Sequence, residues 1–294
     1  MPDSVLESEI RSQPDCWETA VTLASRYRDI LPAAGERVAV IGCGTSLYIA
    51  RGYAYLRESQ GLGVTDAWPA SEARLGRGYD RLVAITRSGT TTEVLTALAG
   101  FRGPRTIITG PEGTPVHDLG DAITLPEFDE QSVVQTRFAT SALALLRAHL
   151  GEDLTPVISQ GRAVLAAPPS DLDGVRKAEQ ISFVGMGLGA ALAEEAALKL
   201  RESTQSWAES YFATEYRHGP ASIAEPGRVV WSLGPLVPGF ASDVAATGAH
   251  LEHTDNDPMA ELVRVHRLCL LRAGDMGLDP SNPRNLARSV ILES

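Results

Sequence analysis

Residues 37–46, Arg37-Val-Ala-Val-Ile-Gly-Cys-Gly-Thr-Ser46, join a short apolar run to a glycine-rich turn. The apolar run predicts a buried strand, and the residues after the turn predict a helix that ends near Ser59. A strand, a glycine turn and a helix in succession form the phosphate site of many α/β proteins. The hydroxyls of Thr45 and Ser46 and the first helix amides can donate to an anion. The alternative is a plain helix cap.

The same arrangement occurs again at residues 81–93. Arg81-Leu-Val-Ala-Ile85 predicts a second buried strand, and Thr86-Arg-Ser-Gly-Thr-Thr-Thr-Glu93 follows it. Five hydroxyls, an arginine and a glycine within eight residues make a second candidate anion cradle. Because two neighbouring parallel strands end at the same edge of a sheet, we expect both loops to face one crevice.

The two halves of the chain carry an internal repeat. Gly42 and Gly44 match Gly185 and Gly187 at an offset of 143 residues (185 − 42), although the second turn has no Thr-Ser pair. This repeat predicts two duplicated α/β domains with the anion site in the first. Taking 167–170 (Ala-Pro-Pro-Ser) as a linker, we expect the domains to span 1–168 and 169–294.

Several other elements are predicted from hydrophobic periodicity. A long helix is expected over Gln131–Leu150. After the strand at Gln180–Val184, the remaining strand candidates of the second half are Arg228–Leu233 and Gly248–His253.

Three titratable residues lie close together in the second half: Lys199, Glu202 and His218. Lysine and arginine total 26, and Lys177 and Lys199 are the two lysines, so the chain strongly prefers arginine. Lysine can lose its proton and attack a carbonyl, which arginine does not do. A carboxylate, an amine and an imidazole are the groups that proton transfer uses. The alternatives are a surface helix ion pair for Lys199 and Glu202, and a turn cap for His218.

Composition excludes several classes of partner. The net charge of −11 argues against binding to nucleic acid or to an anionic membrane. Three cysteines show no metal spacing, and His250 and His253 lack a second ligand pair, so neither a metal nor a cofactor is expected. With no signal segment and no long apolar run, we expect a cytoplasmic protein.

These motifs together resemble the sugar-isomerase (SIS) family, and in particular the isomerase half of glucosamine-6-phosphate synthase. The matching segments occur in the same order almost from end to end: Glu9–Pro14, Gly42–Ser46, Ser88–Thr91, Leu198–Glu202, Glu215–Pro220 and Asn282–Ser289. The resemblance implies two tandem flavodoxin-like SIS domains of α/β class, each with a parallel sheet in three α/β/α layers. It also implies a homodimer.

The resemblance further implies a hexose or hexosamine 6-phosphate as the ligand. The residues expected to hold its phosphate are Thr45, Ser46, Thr86, Arg87, Ser88 and Thr91. Glu202 would be the base that moves a proton between C1 and C2, Lys199 would support it, and His218 would assist ring opening, reaching in from a partner subunit.

The chain departs from the synthase in three respects. Arg288 stands where the synthase has a lysine that forms an imine with the ketose, so we expect Arg288 to bind a substrate oxygen or stabilise an enediolate instead. Arg87 replaces a glutamine. The 294 residues include no glutaminase part, so we expect that glutamine does not supply ammonia.

Three classes of function follow from these observations. The first is an enzyme that isomerises or deaminates a sugar phosphate or amino-sugar phosphate. The second is a deglycase that cleaves a fructosyl-amine 6-phosphate with the same base. The third is a non-catalytic sensor of a sugar phosphate, which would have no need of Glu202.

Overall fold

The computed structural model describes residues 4–292. Its strands in chain order are β1 (Val38–Gly42), β2 (Thr65–Pro69), β3 (Arg81–Thr86), β4 (Arg105–Thr109), β5 (Asp121–Thr124), β6 (Ile181–Gly185), β7 (Ala208–Phe212), β8 (Val229–Leu233) and β9 (His250–Glu252). Its helices are α1 (Val5–Arg11), α2 (Gln13–Arg26), α3 (Thr45–Ser59), α4 (Thr92–Gly100), α5 (Arg137–His149), α6 (Thr155–Ala166), α7 (Asp173–Arg176), α8 (Leu188–Thr204), α9 (Phe240–Thr247) and α10 (Pro258–Asp275).

The chain forms two compact units. The first unit comprises residues 15–154 and 285–292 of the described chain, and its five-stranded sheet has the order β2-β1-β3-β4-β5. The second unit comprises residues 4–14 and 155–284, and its four-stranded sheet has the order β7-β6-β8-β9. All strand pairs in both sheets are parallel.

Apolar runs form the central strands for a simple physical reason. Every residue of β1, β6 and β8 is buried, because a central parallel strand is covered on both faces of the sheet. In β1, Val38, Ala39, Val40 and Ile41 are fully inaccessible to solvent. The prediction of buried strands from continuous apolar runs is therefore confirmed.

The predicted fold class is confirmed as well. Both units are α/β with parallel sheets, and the order of β7, β6, β8 and β9 repeats the order of β2, β1, β3 and β4. This order is the flavodoxin-like one. The repeat seen in the sequence is thus a repeat of topology, to which the first unit adds β5.

The division into units differs from the boundary expected at 168/169. Helix α6 packs against α10, so the main segment of the second unit begins at Thr155 and not at residue 169. The tail from Asn285 was expected with the second half, but it belongs to the first unit because its hydrogen bonds are made there.

Helix α5, strand β7 and helix α9 are among the elements that differ from the sequence prediction, which included no helix at Phe240–Thr247. Helix α5 begins at Arg137 instead of Gln131, since the carboxylate of Glu130 accepts hydrogen bonds from the amides of Thr136 and Arg137 and so caps a later start. Strand β7 was missed. It is an edge strand with a mostly half-buried, polar-rich sequence, so it lacks the apolar run that revealed central strands such as β1, β3, β6 and β8.

The turn after β1 provides a stability test of the fold. A Cβ atom on Gly42 would lie 2.5 Å from the carbonyl carbon of Ser46, so the first turn of α3 would have to shift. We predict that Gly42→Ala lowers the free energy of unfolding by about 1–3 kcal/mol in urea denaturation. Gly76→Ala is the control, because a Cβ atom on Gly76 would meet no neighbouring atom within 4 Å. Equal stability of the two variants would contradict the prediction.

Candidate active site

One cluster of candidate residues lies in the first unit, at the carboxyl ends of β1 and β3. These two strands are hydrogen-bonded neighbours, and the chain leaves them toward opposite sides of the sheet. A doubly wound sheet has its binding crevice at such a switch point. Segments 42–46 and 86–91 therefore start at one edge, as the sequence predicted. Helices α3 and α4 also begin there, and helix N-termini favour anions.

The glycine turn places two hydroxyls at the start of α3. Gly44 has φ 53° and precedes the helix, a backbone conformation that glycine adopts without steric cost. Thr45 and Ser46 follow as the first helical residues, and both are buried. The amide of Ser46 donates to the carbonyl of Cys43 at 3.2 Å.

The second loop carries a cluster of hydroxyl groups. Thr86 and Ser88 are buried, and Thr91 is the N-cap residue of α4. The Oγ of Ser88 accepts from the amide of Thr90 at 3.2 Å and lies 3.4 Å from the Oγ1 of Thr91. The loop thus brings several donors together before a helix N-terminus, as an anion cradle requires.

Arg87 has contacts different from those that the sequence suggested. Its side chain is buried, and its guanidinium donates to the carbonyls of Ser132 at 2.9 Å, Val133 at 3.0 Å and Arg288 at 3.0 Å. These bonds tie the loop to residues 132–133 and to the tail. A phosphate contact by Arg87 stays a prediction.

Arg288 is also engaged by the protein. Its guanidinium forms an ion pair with the carboxylate of Asp129 and donates to the carbonyl of Glu130. These are the contacts of a residue that positions the tail. A direct role of Arg288 on the substrate stays a prediction.

A second, separate cluster of candidate residues lies on α8 in the second unit. The ammonium of Lys199 lies 2.5 Å from the carboxylate of Glu202 and 3.5 Å from that of Glu195. The side chains of Lys199 and Glu195 are 1% exposed, whereas that of Glu202 is 17% exposed. The predicted pairing of Lys199 with Glu202 is present, and it is a buried ion pair rather than a surface one. Its carboxylate partner Glu202 retains access to solvent.

Helix α10 supplies two neutral groups near this lysine. Burial, and then the positive charge of Lys199, lower the pKa of His266 to about 3. Burial raises the pKa of Cys269 to about 12, against the opposing effect of Lys199. The side-chain Nε2 of Gln13, which only donates, lies 3.1 Å from the Nδ1 of His266, so Nδ1 accepts and the neutral imidazole carries its proton on its own Nε2.

His218 lies in the same unit but in a different setting. It follows the 3-10 turn Glu215–Arg217, and its amide donates to the carbonyl of Glu215 at 2.9 Å. The His218 side chain belongs to an exposed residue. A role of His218 in ring opening from a partner subunit stays a prediction.

The sequence did not single out three residues of these clusters: Glu195, Asp129 and Ser289. Glu195 precedes Lys199 by four residues, and this helical spacing could have revealed it. Ser289 adjoins Arg288 and contacts the hydroxyls of the second loop. Asp129 gave no signal, because its partner lies 159 residues away in the chain.

Curated relatives match most of the chain, and two of them show the same sequence identity to it. The chain is 28% identical to the isomerizing glutamine–fructose-6-phosphate aminotransferase of Aeropyrum pernix, over 90% of the chain and 52% of the relative. It is also 28% identical to the enzyme of that name from Methanothermobacter thermautotrophicus, over 99% of the chain and 58% of the relative. The chain therefore spans about half the length of the curated relatives it matches. No protein-family model matches it.

Solved structures give the fold. Glucosamine-6-phosphate deaminase from Thermotoga maritima aligns with a TM-score of 0.79 at 22% identity, covering 98% of this chain and 100% of that one. The chain carries the sugar-isomerase (SIS) fold. Tagatose-6-phosphate ketose/aldose isomerase from Escherichia coli aligns equally well, with a TM-score of 0.79 at 19% identity over 99% of this chain and 97% of that one.

The C-terminal domain of glucosamine-fructose-6-phosphate aminotransferase from Francisella tularensis has the same SIS fold, with a TM-score of 0.77 at 20% identity over 95% of this chain and 98% of that domain. The resemblance to the isomerase half of the synthase, first seen in short motifs, is thus confirmed over most of the chain.

Within residues 4–292, no group of three or more His, Cys, Asp or Glu side chains is arranged to hold a metal ion. In the same residues, no helix combines the length and the apolar character needed to cross a bilayer.

The buried ion pair on α8 can be tested through stability. We predict that Lys199→Met lowers the free energy of unfolding by about 3–5 kcal/mol, because two carboxylates lose the cation they share. The matched control is Lys177→Met at the other lysine, which is exposed, and its effect should stay within about 0.5 kcal/mol. Urea denaturation measures both. The interpretation is wrong if the two variants are equally stable.

Proposed function

We propose that this protein is a sugar-phosphate isomerase that moves a proton between C1 and C2 of an open-chain hexose or hexosamine 6-phosphate without a metal. Glu202 is the base, and Lys199 supports it. Deamination of the amino sugar is included, because it uses the same proton transfer.

The observation that carries this proposal is the contact between Lys199 and Glu202. A lysine that is 1% exposed has its ammonium 2.5 Å from a carboxylate that keeps 17% exposure. Such a lysine fixes the orientation of the carboxylate, and the exposed part of the carboxylate can meet a substrate. A base held in this way matches what general acid–base catalysis needs, which is position first.

The hydroxyl cradle of the first unit supports a phosphate ester as the ligand. Thr45, Ser46, Thr86, Ser88 and Thr91 offer neutral donors at the starts of α3 and α4. Helix amides and hydroxyls bind phosphate without a surplus of basic side chains. An acidic protein can therefore hold an anion locally.

The reaction can be written for a ketose. Glu202 takes a proton from C1, and the electrons of that C–H bond form the C1–C2 double bond of an enediolate. The protonated carboxyl group then returns the proton to C2. In the same step O1 loses its hydroxyl proton and becomes the carbonyl oxygen, while O2 gains a proton and becomes a hydroxyl. The product is the aldose, and Glu202 ends as a carboxylate.

For an amino sugar the same steps lead to loss of ammonia. Proton transfer from C2 to C1 converts the amine at C2 into an imine that contains the substrate's own nitrogen. Water then adds to C2, ammonia leaves, and a ketose phosphate remains. This route needs no imine with the protein, which fits an arginine at position 288.

Two further parts of the proposal, the role of His218 and the dimer, rest on the family resemblance, and the cytoplasmic location rests on the sequence alone. His218 assists ring opening, and it does so from a partner subunit. The protein is accordingly a homodimer, and it acts in the cytoplasm. The names of the relatives and of the structural neighbours share a hexose 6-phosphate, so this is the substrate class to test first.

The deciding experiment follows proton-to-deuterium exchange in heavy water by NMR. Fructose 6-phosphate, glucosamine 6-phosphate and their galacto isomers are offered to the protein in turn. We expect exchange at C1 or C2 with one of these series, and Glu202→Gln should slow it by at least about 10²-fold, the usual contribution of a general base.

The control for this experiment is Glu225→Gln. Glu225 is a surface carboxylate of the same unit that pairs with Arg228, so its loss should leave the exchange rate unchanged. Saturable binding of a sugar phosphate with no exchange at either carbon would remove the isomerase proposal and leave a sensor, or a deglycase that acts on a substituted amine. Exchange that persists in Glu202→Gln would remove Glu202 as the base.

A further inference from the structure

The tail of the chain, residues 286–292, runs along the second loop of the anion cradle. Its main chain is held at the start of α4, where the amide of Thr92 donates to the carbonyl of Val290 at 3.2 Å. The amide of Leu292 in turn donates to the Oγ1 of Thr92 at 2.9 Å. The tail is therefore fixed next to the hydroxyls that we assign to phosphate binding.

Ser289 brings one more hydroxyl into that cluster. Its Oγ lies 2.9 Å from the Oγ1 of Thr90 and 3.3 Å from the Oγ of Ser88. A serine hydroxyl has two acceptor sites and one hydrogen that rotates freely. Ser289 can thus accept from its neighbours in the loop and still donate its own hydrogen to an anion.

Two arginines hold Ser289 in this place. Arg87, from the loop, donates to the carbonyl of Arg288 at 3.0 Å. Arg288, from the tail, pairs with the carboxylate of Asp129 and donates to the carbonyl of Glu130. Arg288, directly before Ser289, is therefore fixed twice: Arg87 binds its main-chain carbonyl, and Asp129 binds its side chain.

The anchor for Arg288 is itself rigid. The Glu130 side chain is buried, and its carboxylate accepts from the amide of Thr136 at 2.6 Å, from the hydroxyl of Thr136 at 2.8 Å and from the amide of Arg137 at 2.8 Å. These bonds cap α5 and fix the segment that leads into it. Asp129 and the carbonyl of Glu130 are thus presented to the tail from a fixed point.

We propose that Ser289 is a phosphate ligand of the cradle, and that Arg87, Asp129 and Arg288 are positioning residues that hold it there. The inference rests on the proposed function, since it assumes a phosphate ester in the cradle. Both guanidinium groups bind the protein itself, so the tail would contribute a neutral donor to the anion instead of a cation. Phosphate affinity would then depend on an ion pair that does not touch the phosphate.

The test measures binding of inorganic phosphate and of fructose 6-phosphate by calorimetry. Ser289→Ala should weaken binding about tenfold, as expected for loss of one hydrogen bond to a charged group. Asp129→Asn should weaken it by a similar factor and should also speed hydrogen exchange at the amide of Thr92, which reports docking of the tail. The double variant should bind no more weakly than Ser289→Ala alone, because Asp129 acts through Ser289.

The matched control is Glu36→Gln. Glu36 pairs with Arg81 in the same unit at 3.0 Å, but it precedes β1 and so lies at the amino ends of the strands. This variant should change neither binding nor exchange at Thr92. If Asp129→Asn acted merely by loosening the unit through the loss of an ion pair, Glu36→Gln would have the same effect on binding and on exchange at Thr92.

Each contrary outcome has a distinct meaning. Unchanged affinity in Ser289→Ala, when the unmodified chain binds, would overturn the ligand role of Ser289. Additive losses in the double variant would overturn the positioning role of Asp129. If the unmodified chain binds neither anion, the proposed function fails and this inference fails with it. Unchanged exchange at Thr92 in Asp129→Asn would instead reject the positioning role alone.

Discussion

The parallel pairing of β1 with β3 is the constraint on which the candidate phosphate site depends. Because the chain departs from these neighbours toward opposite sides of the sheet, their two following loops share one edge and two helices begin there. Everything assigned to phosphate binding follows from this arrangement: the hydroxyls of 42–46, those of 86–91 and the tail that packs on the second loop. The second unit repeats the strand order, but its glycine turn, 185–189, contains no hydroxyl residue.

The positively charged side chains have different partners in the two units. In the first, Arg87 and Arg288 donate to carbonyls and to Asp129, so the hydroxyls are the neutral donors that we assign to the ligand. In the second, a buried lysine lies between two carboxylates of its own helix, and its neighbours His266 and Cys269 are held in their neutral forms. A buried cation requires such partners, since its desolvation costs several kcal/mol, about as much as a domain's net stability. The arrangement concentrates the positive charge at the carboxylate that we propose as the base.

The central strands and the duplicated topology could be predicted from the sequence, because continuous apolar runs and glycine turns are local signals. The runs at 37–41 and 81–85 gave the central strands, and the repeated glycines gave the duplicated topology. The features that were not predicted depend on residues far apart in the chain or on weak local patterns. The half-buried strand β7 has no apolar run, and the late start of α5 depends on a side chain that precedes the helix. The ion pair of Asp129 with Arg288 joins residues that are 159 positions apart in the chain, which periodicity does not detect.

The most direct test of the central claim is a crystal structure with glucosamine 6-phosphate bound. The account predicts that the phosphate lies within hydrogen-bond distance of the hydroxyls of Ser46 and Ser88, while Arg288 keeps its ion pair with Asp129. It predicts also that the carboxylate of Glu202 lies beside C1 or C2 of the sugar. A phosphate bound away from the ends of β1 and β3, or a sugar whose C1 and C2 face no carboxylate, would contradict it.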